Sequence, residues 1–342
     1  MPALAVAEAL RERGVEVSFA GSPERIEARL VPEAGFPFDP FPISGLPRRP
    51  GPQLLRAGGR ALRAPFACLR ILRQRRPHVV LGGGGYVAGP MVLAAWLARI
   101  PAALTEADAH LGLANRLAAP FAERVFLSFP IEGREGGRYR LSGRALARRG
   151  DRIGRTEARR VFGLPEEGPL LLVFGGSQGA HALNELVAEH FGQAGPAVLH
   201  LAGERDGPGL RARIRRPDYV VLDFTHEFGA ALAACDLGLA RAGGSVWELA
   251  AAGKPGVLVP YPYATADHQT KNARYFARSG GVVVVPEPEI ERVPELIREL
   301  LADPGRLQRM GAAMLSLARP QAADEIADEL LAMAERKAGR GL

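Results

Sequence analysis

Three stretches of the second half carry residue types whose spacing can do chemistry. In "LLLVFGGSQGAHALNEL", an apolar run from Leu170 breaks into Gly175, Gly176, Ser177, Gln178 and Gly179 and then takes up helical spacing. That is the pattern of a strand, a tight turn and a helix start, where backbone N–H groups, a hydroxyl and the positive end of a helix dipole converge. A diphosphate suits such a point, although the same glycines also serve a tight turn that holds nothing. "LARAGGSVWELAAAGKPGVLVP" repeats the arrangement at Gly243, Gly244 and Ser245, and adds Glu248. Its carboxylate can take both hydroxyls of a ribose, or simply favour the first turn of a helix. "YATADHQTKNARYF" brings Asp267, His268, Gln269 and Asn272 onto a loop leading into a helix. Imidazole and amide groups supply the paired donors and acceptors that sugar hydroxyls need; Asp267 alone is explained as a helix cap.

The first half has its own glycine turn. "VVLGGGGYVAGP" holds Gly82 to Gly85, and "LTEADAHLGLANR" places Glu106, Asp108, His110 and Asn115 beyond a strand. Gly83, Gly85 and Ala88, with Glu106 about 20 residues on, fit a dinucleotide fingerprint and keep a nicotinamide enzyme open. That fingerprint belongs to the first strand of a sheet, whereas several elements precede it here. Ser177 lacks the G-x-S-x-G spacing of a hydrolase nucleophile. The seven histidines show no short metal-ligand spacing, so no metal site is expected. Cys68 and Cys235 show no C-x-x-C spacing, and a reducing compartment without disulfides is expected.

Behind these residues lies a regular alternation. The chain opens with a helix ended by Gly14, then "VEVSFAG" as a strand; strands follow at Pro77 to Leu81, Pro101 to Leu104 and from Arg124. The pattern restarts with strands at Leu170 to Phe174, Ala197 to Leu201, Tyr219 to Leu222, Leu237 to Ala240, Gly256 to Val259 and Val282 to Val285. Alternation in two halves predicts an α/β protein of two doubly wound parallel sheets, with a boundary near Gly150. With 342 residues the chain suits two domains. The longest apolar run, from Tyr86, stops at Arg99, short of the ~18 residues a spanning helix needs.

Net charge is +7, and nine arginines with no acidic residue lie between Arg48 and Arg76. Leu55, Leu62, Phe66, Leu69 and Leu72 interleave with Arg56, Arg60, Arg63, Arg70 and Arg73. Such a segment can rest on anionic lipid, or pack as an ordinary helix with a solvated basic face. Aromatic residues are not interleaved for base stacking, so nucleic acid is not an expected partner.

Taken together, "PALAVAEALRERG", "GGYVAGPMVLAAWLARIP", "LGLANRLAAPFAERV", "GGSQGAHALNE", "AACDLGLARAGGS" and "ELAAAGKPGVLVPYPYATADHQTKNA", in that order, resemble the MurG family over nearly the whole chain. These are bacterial glycosyltransferases that add N-acetylglucosamine to the undecaprenyl-linked precursor of peptidoglycan. The resemblance implies a GT-B fold of two Rossmann-like domains with a cleft between them. Residues 1–150 would form the acceptor and membrane-associating domain, 151–318 the donor domain, and 319–342 a helix returning to the first. By motif matching, Gly176, Ser177, Gln178 and Gly179 would meet the diphosphate of UDP-N-acetylglucosamine, and Thr225 the uracil through its backbone. Gly243, Gly244 and Ser245 would approach the phosphates, Glu248 the ribose, and His268 with Gln269 the sugar.

The acceptor side implied is Gly83, Gly84, Gly85, Tyr86 and Asn115, and the membrane patch Phe66, Leu69, Arg70, Arg73 and Trp96. The lipid tail would place the protein at the cytoplasmic face of the membrane as a peripheral enzyme of cell-wall synthesis. The reaction would be an inverting displacement with no cofactor. Glu106 and Asp108 are the candidate bases by chemistry alone. The family's H-E-Q-N reads here Thr105, Glu106, Ala107 and Asp108, and "LSGRALARR" replaces its G-N-P-V-R. The family pattern also has a strand and a G-G-T-G-G-H turn ahead of the opening helix, so a preceding strand is expected. Without it, a donor-binding protein that transfers nothing is the rival; another lipid or small-molecule acceptor is the second.

Overall fold

Alternate residues of the first half's strands face opposite ways, and each face has its own helices. The computed structural model describes residues 2–43, 52–147, 153–176 and 180–339, with side chains except those of 52–62 and 338–339. The expected boundary near Gly150 lies outside the described residues. The chain divides into two compact units, Met1–Arg148 with Arg319–Leu342, and Arg149–Ala318.

The first unit runs α1 (Pro2–Glu12), β1 (Phe19–Gly21), α2 (Glu27–Glu33), β2 (Phe38–Pro40), α3 (Pro52–Arg75), β3 (Val80–Gly82), α4 (Gly85–Leu97), β4 (Ala102–Glu106), α5 (Leu113–Ala118), β5 (Arg124–Leu127) and β6 (Tyr139–Leu141). Strands β3 to β6 form one parallel sheet in chain order. Val80, Ala102, Leu104, Val125 and Leu127 share a core with Cys68 and Leu72 of α3 and Val92 of α4. Ala103 and Phe126, one residue out of phase, join Val6 and Leu10 of α1 and Ile326 and Leu330 of the C-terminal helix. This is the period of two of a strand covered on both faces.

The strands of this half do not make the single sheet expected of them. β1 and β2 form a separate parallel ribbon, packed with Val31 and Phe36. The strand expected from Val15 shrinks to Phe19–Gly21. β2 and β6 were not legible because "FDP" and "YRL" are too short and too polar to show an alternating apolar pattern.

The second unit runs α6 (Arg155–Val161), β7 (Leu170–Phe174), α7 (His181–Phe191), β8 (Ala197–Leu201), α8 (Gly207–Arg213), β9 (Tyr219–Leu222), α9 (Phe228–Ala234), β10 (Leu237–Ala240), α10 (Val246–Ala251), β11 (Gly256–Leu258), α11 (His268–Arg278), β12 (Val282–Val284), α12 (Val293–Leu301) and α13 (Pro304–Leu317). Its six strands lie in the order β12-β11-β10-β7-β8-β9, each neighbouring pair parallel. β7 and β10 are buried along their whole length, as central strands covered on both faces must be. The chain leaves β7 to one side and returns as β10 on the other, so the order reverses between them. Ligands of such sheets bind outside the carboxyl ends at that reversal.

Finally α14 (Ala322–Gly339) rejoins the first unit. Arg13 of α1 pairs with Asp324 at 3.0 Å and Asp328 at 2.8 Å. Arg124 and Arg140 both reach Glu329, at 2.9 and 3.1 Å.

Candidate active site

The carboxyl edge of the second sheet gathers the described residues that the resemblance assigns to the donor. After β7 come Gly175 and Gly176; Gly176 has φ of 88° and open space where a Cβ would stand. Ser177, Gln178 and Gly179 lie outside the described residues. After β10 come Arg241, Ala242, Gly243, Gly244 and Ser245, and a Cβ on Gly243 would also meet open space. Ser245 already has helical angles, and its carbonyl accepts from the Glu248 N–H at 3.0 Å, so Glu248 sits half-buried in the first turn of α10.

The sugar-reading pair follows β11. Gln269 Oε1 accepts from the Tyr261 N–H at 2.9 Å, which leaves its NH2 as the group that can donate to a ligand. His268 Nδ1 lies 2.8 Å from the Thr265 carbonyl. A carbonyl only accepts, so Nδ1 carries the proton and Nε2 is the acceptor of the neutral ring. The two side chains therefore present one donor and one acceptor. Immediately before them Ala266 and Asp267 both have φ of 53°, a left-handed conformation costing about 1–2 kcal/mol per non-glycine residue. Lys271 Nζ holds the Ala266 carbonyl at 2.9 Å.

After β9, Thr225 Oγ1 accepts from the Glu227 N–H at 3.0 Å, closing a turn around its own backbone. Phe224 beside it is 62% exposed, its ring 5.0 Å from that of His226.

Sequence reasoning missed Arg241. Its guanidinium is almost buried, donates to the Val259 carbonyl at 3.2 Å and the Pro260 carbonyl at 3.4 Å, pairs with Glu287 and lies 5.5 Å from the Tyr261 ring. It joins the segments after β10, β11 and β12. Buried Asn272 adds a bond from Nδ2 to the Ala242 carbonyl at 3.2 Å. The available signal was a charged residue directly after the buried run of β10, where a cation needs several acceptors.

In the first unit, Gly84 (φ 91°) and Gly85 (φ 70°) turn the chain from β3 into α4. A Cβ on Gly84 would lie 3.2 Å from the Thr105 carbonyl, so the turn sits against the end of β4. Tyr86 is engaged at its hydroxyl by Arg25 Nε at 2.8 Å; beyond Gly83, Ala3 Cβ is 3.4 Å from a built Cβ position. Glu106 is the last residue of β4. Its buried carboxylate accepts from the N–H groups of Ala107 (2.9 Å), Asp108 (3.3 Å) and Gly112 (2.9 Å) and from Asn115 Nδ2 (2.9 Å). With these four donors it is the clasp of the 107–112 loop. Asn115 also donates to the Thr105 carbonyl at 3.0 Å, while its buried Oδ1 has no hydrogen-bond partner among the described residues.

An apolar patch occupies α3, α4 and α5. Phe66 is 74% exposed and Trp96 53%, and Leu97, Leu113 and Leu117, which sequence reasoning did not single out, are exposed too. Arg70 and Arg73 are exposed, whereas Leu69 packs half-buried against the core. The side chains of Leu55, Arg56, Arg60 and Leu62 lie outside the described ones. Among the described residues, no helix is long and apolar enough to cross a membrane.

Residues 1–127 match the N-terminal domain of glycosyltransferase family 28, and residues 170–326 its C-terminal domain. The chain is 39% identical over 341 residues to the UDP-N-acetylglucosamine–N-acetylmuramyl-(pentapeptide) pyrophosphoryl-undecaprenol N-acetylglucosamine transferase of Rubrobacter xylanophilus, covering 98% of this chain and 100% of the relative. Against the protein of the same name in Alkalilimnicola ehrlichii it is 42% identical over 337 residues, covering 95% and 93%. The crystal structure of Acinetobacter baumannii MurG superposes with a TM-score of 0.76 at 28% identity, over 96% of this chain and 95% of that one.

The chain belongs to the MurG family. Its α/β units are those of the family's GT-B fold, and membership makes it a glycosyltransferase. It also removes the nicotinamide reading of Gly83, Gly85 and Ala88.

Proposed function

We propose that this chain transfers N-acetylglucosamine from UDP-N-acetylglucosamine to the muramoyl-pentapeptide of an undecaprenyl-diphosphate precursor, lipid I to lipid II, at the cytoplasmic face of the membrane. The observation that carries this reading is identity of 39% across 98% of the chain to a transferase of that donor and acceptor.

The second unit supplies the donor side. Gly176, with Ser177, Gln178 and Gly179 that follow it in sequence, and Gly243 to Ser245 take the diphosphate, Glu248 the ribose, and the Thr225 backbone the uracil. His268 Nε2 accepts from one sugar hydroxyl and the Gln269 NH2 donates to another. Gly83, Gly84, Gly85, Tyr86 and Asn115 serve the acceptor.

In the reaction, the acceptor's 4-hydroxyl oxygen bonds to the anomeric carbon as the bond from that carbon to the diphosphate breaks, inverting the centre. UDP leaves with the electron pair. Backbone N–H groups aimed at the leaving diphosphate stabilise the charge that develops there. The hydroxyl proton passes to a base; with Glu106 as the loop clasp, Asp108 is the carboxylate put forward. Phe66, Trp96, Leu97, Leu113 and Leu117 enter the lipid surface while Arg70 and Arg73 meet anionic headgroups.

The test is incubation of the purified chain with labelled UDP-N-acetylglucosamine and the undecaprenyl-linked precursor in detergent or vesicles. Stoichiometric UDP and a labelled disaccharide lipid are expected. Tight UDP binding with no transfer would sink the enzyme reading, and transfer only to another lipid would sink the acceptor.

A further inference from the structure

Beneath the first turn of α7 lies a chain of buried polar groups to which none of the roles above applies. Asn184 is fully buried, and its Nδ2 donates at 2.8 Å both to the Ala202 carbonyl and to Asp206 Oδ2. Both partners are acceptors, so the amide can face only one way. Its Oδ1 then meets His200 Nε2 at 2.9 Å, and that nitrogen must carry the proton. The other ring nitrogen is left as an acceptor, and the Tyr219 hydroxyl, 2.8 Å away, donates to it. Each proton from Tyr219 through His200 to Asn184 has one allowed place.

The surroundings support that assignment. His200 lies in mid-strand on β8 between Val173 and Val221, and burial holds its imidazole neutral, with a pKa lowered to about 4. Asp206 is pinned by Arg205 at 2.9 Å and approached by His181 Nδ1 at 3.3 Å. His181 and Asn184 are the first and fourth residues of α7. The start of this helix is thus tied to the segment after β8 and, through His200, to β9. Leu183, Leu186, Val187 and Phe191 already dock the helix into the core. Buried polar groups are a costly way to add attachment, but, fully satisfied, they specify one orientation.

We propose that Asn184 is a positioning residue for donor binding. Through His200, whose ring Tyr219 holds at Nδ1, it sets the tilt at which the N-terminal turn of α7 presents its N–H groups to the donor diphosphate. The inference rests on the donor reading above. Misplacement of such groups by about an ångström is enough to cost a large part of the rate.

The experiment uses the full chain. UDP affinity is measured by titration calorimetry, KM for donor and acceptor by steady-state assay, melting temperature by calorimetry, and the His200 tautomer by imidazole 15N shifts. Asn184→Ala is expected to weaken UDP and raise the donor KM roughly tenfold, with the acceptor KM within about twofold. Tyr219→Phe keeps the ring packing and the Nε2 proton held by Asn184, takes the donor away from His200 Nδ1, which moves that nitrogen's 15N shift, and raises the donor KM about threefold.

Lys254→Met is the comparison. Its ammonium holds the Ala233 and Cys235 carbonyls at 3.3 and 2.7 Å ahead of β11, and its loss lowers the melting temperature with the donor KM unchanged. If Asn184→Ala does not fold, Tyr219→Phe decides. Variants that melt lower but bind UDP as the wild type does overturn this inference alone. A wild-type chain that takes up no UDP overturns the donor reading and this inference with it.

Discussion

At the scale of single residues, Glu106 at the end of β4 and Asp108 two residues on are assigned different work. Glu106→Gln puts an NH2 against two of the four donors that the carboxylate now accepts. It is expected to cost about 1–3 kcal/mol of stability, read by urea unfolding, with a modest loss of kcat. Asp108→Asn is expected to lower kcat about a hundredfold with the donor KM unchanged. The reverse ranking would return the role of base to Glu106. The left-handed Ala266 gives another prediction. With φ of 53°, Ala266→Gly relieves about 1–2 kcal/mol of strain against about 0.5–1 of added chain entropy. A net gain of about 1 kcal/mol in urea unfolding is expected; a loss would mean that the turn is not strained.

At the scale of elements, the polar set between α7, β8 and β9 makes stability depend on pH in a definite direction. His200 has its pKa lowered from 6.5 to about 4, so the unfolded chain binds the extra proton first. Its contribution is fully present above pH 6.5 and is lost as pH falls toward 4. The loss amounts to about 3 kcal/mol. Urea midpoints between pH 7 and 4 are expected to fall less steeply in His200→Gln, on a lower baseline, than in the wild type; parallel curves would refute the assignment. Packing of α4 on β3 and β4 gives a second prediction. A Cβ on Gly82 would stand 2.7 Å from Leu104 Cδ2 and 3.0 Å from Ala88 Cβ. Gly82→Ala is therefore expected to cost about 1–3 kcal/mol by overpacking.

At the scale of the whole molecule, no helix among the described residues is long and apolar enough to cross a membrane, so the proposed attachment rests on exposed apolar and basic side chains. Headgroup attraction is worth about 1 kcal/mol for each nearby arginine. Arg70→Gln with Arg73→Gln is then expected to lower partitioning onto anionic vesicles roughly thirtyfold at low salt, and hardly at all onto neutral ones. Phe66→Ser should weaken both equally. Equal loss on neutral vesicles from the arginine pair would show that those charges do not face lipid.

By itself the sequence determined the second half of the chain. Long apolar runs such as "LLLVF" can be satisfied only as central parallel strands, and glycines behind them mark turns at their ends, so strands and turns were readable from local pattern, while the donor residues were assigned by resemblance to the family. Strand order was not readable. The reversal between β7 and β10, which puts Gly176 and Gly243 at neighbouring strand ends, is a matter of pairing between distant segments. So is the division of the first half into two sheets, since "FDP" and "YRL" carry no pattern of their own. What each polar side chain does was decided only in three dimensions. Glu106 reads as an acid, Arg241 as one arginine among many and Asn184 as a helix residue. Their work as loop clasp, clamp of three strand ends and helix peg follows from hydrogen-bond partners brought to them by the fold, and partners far off in the chain leave no mark on local spacing.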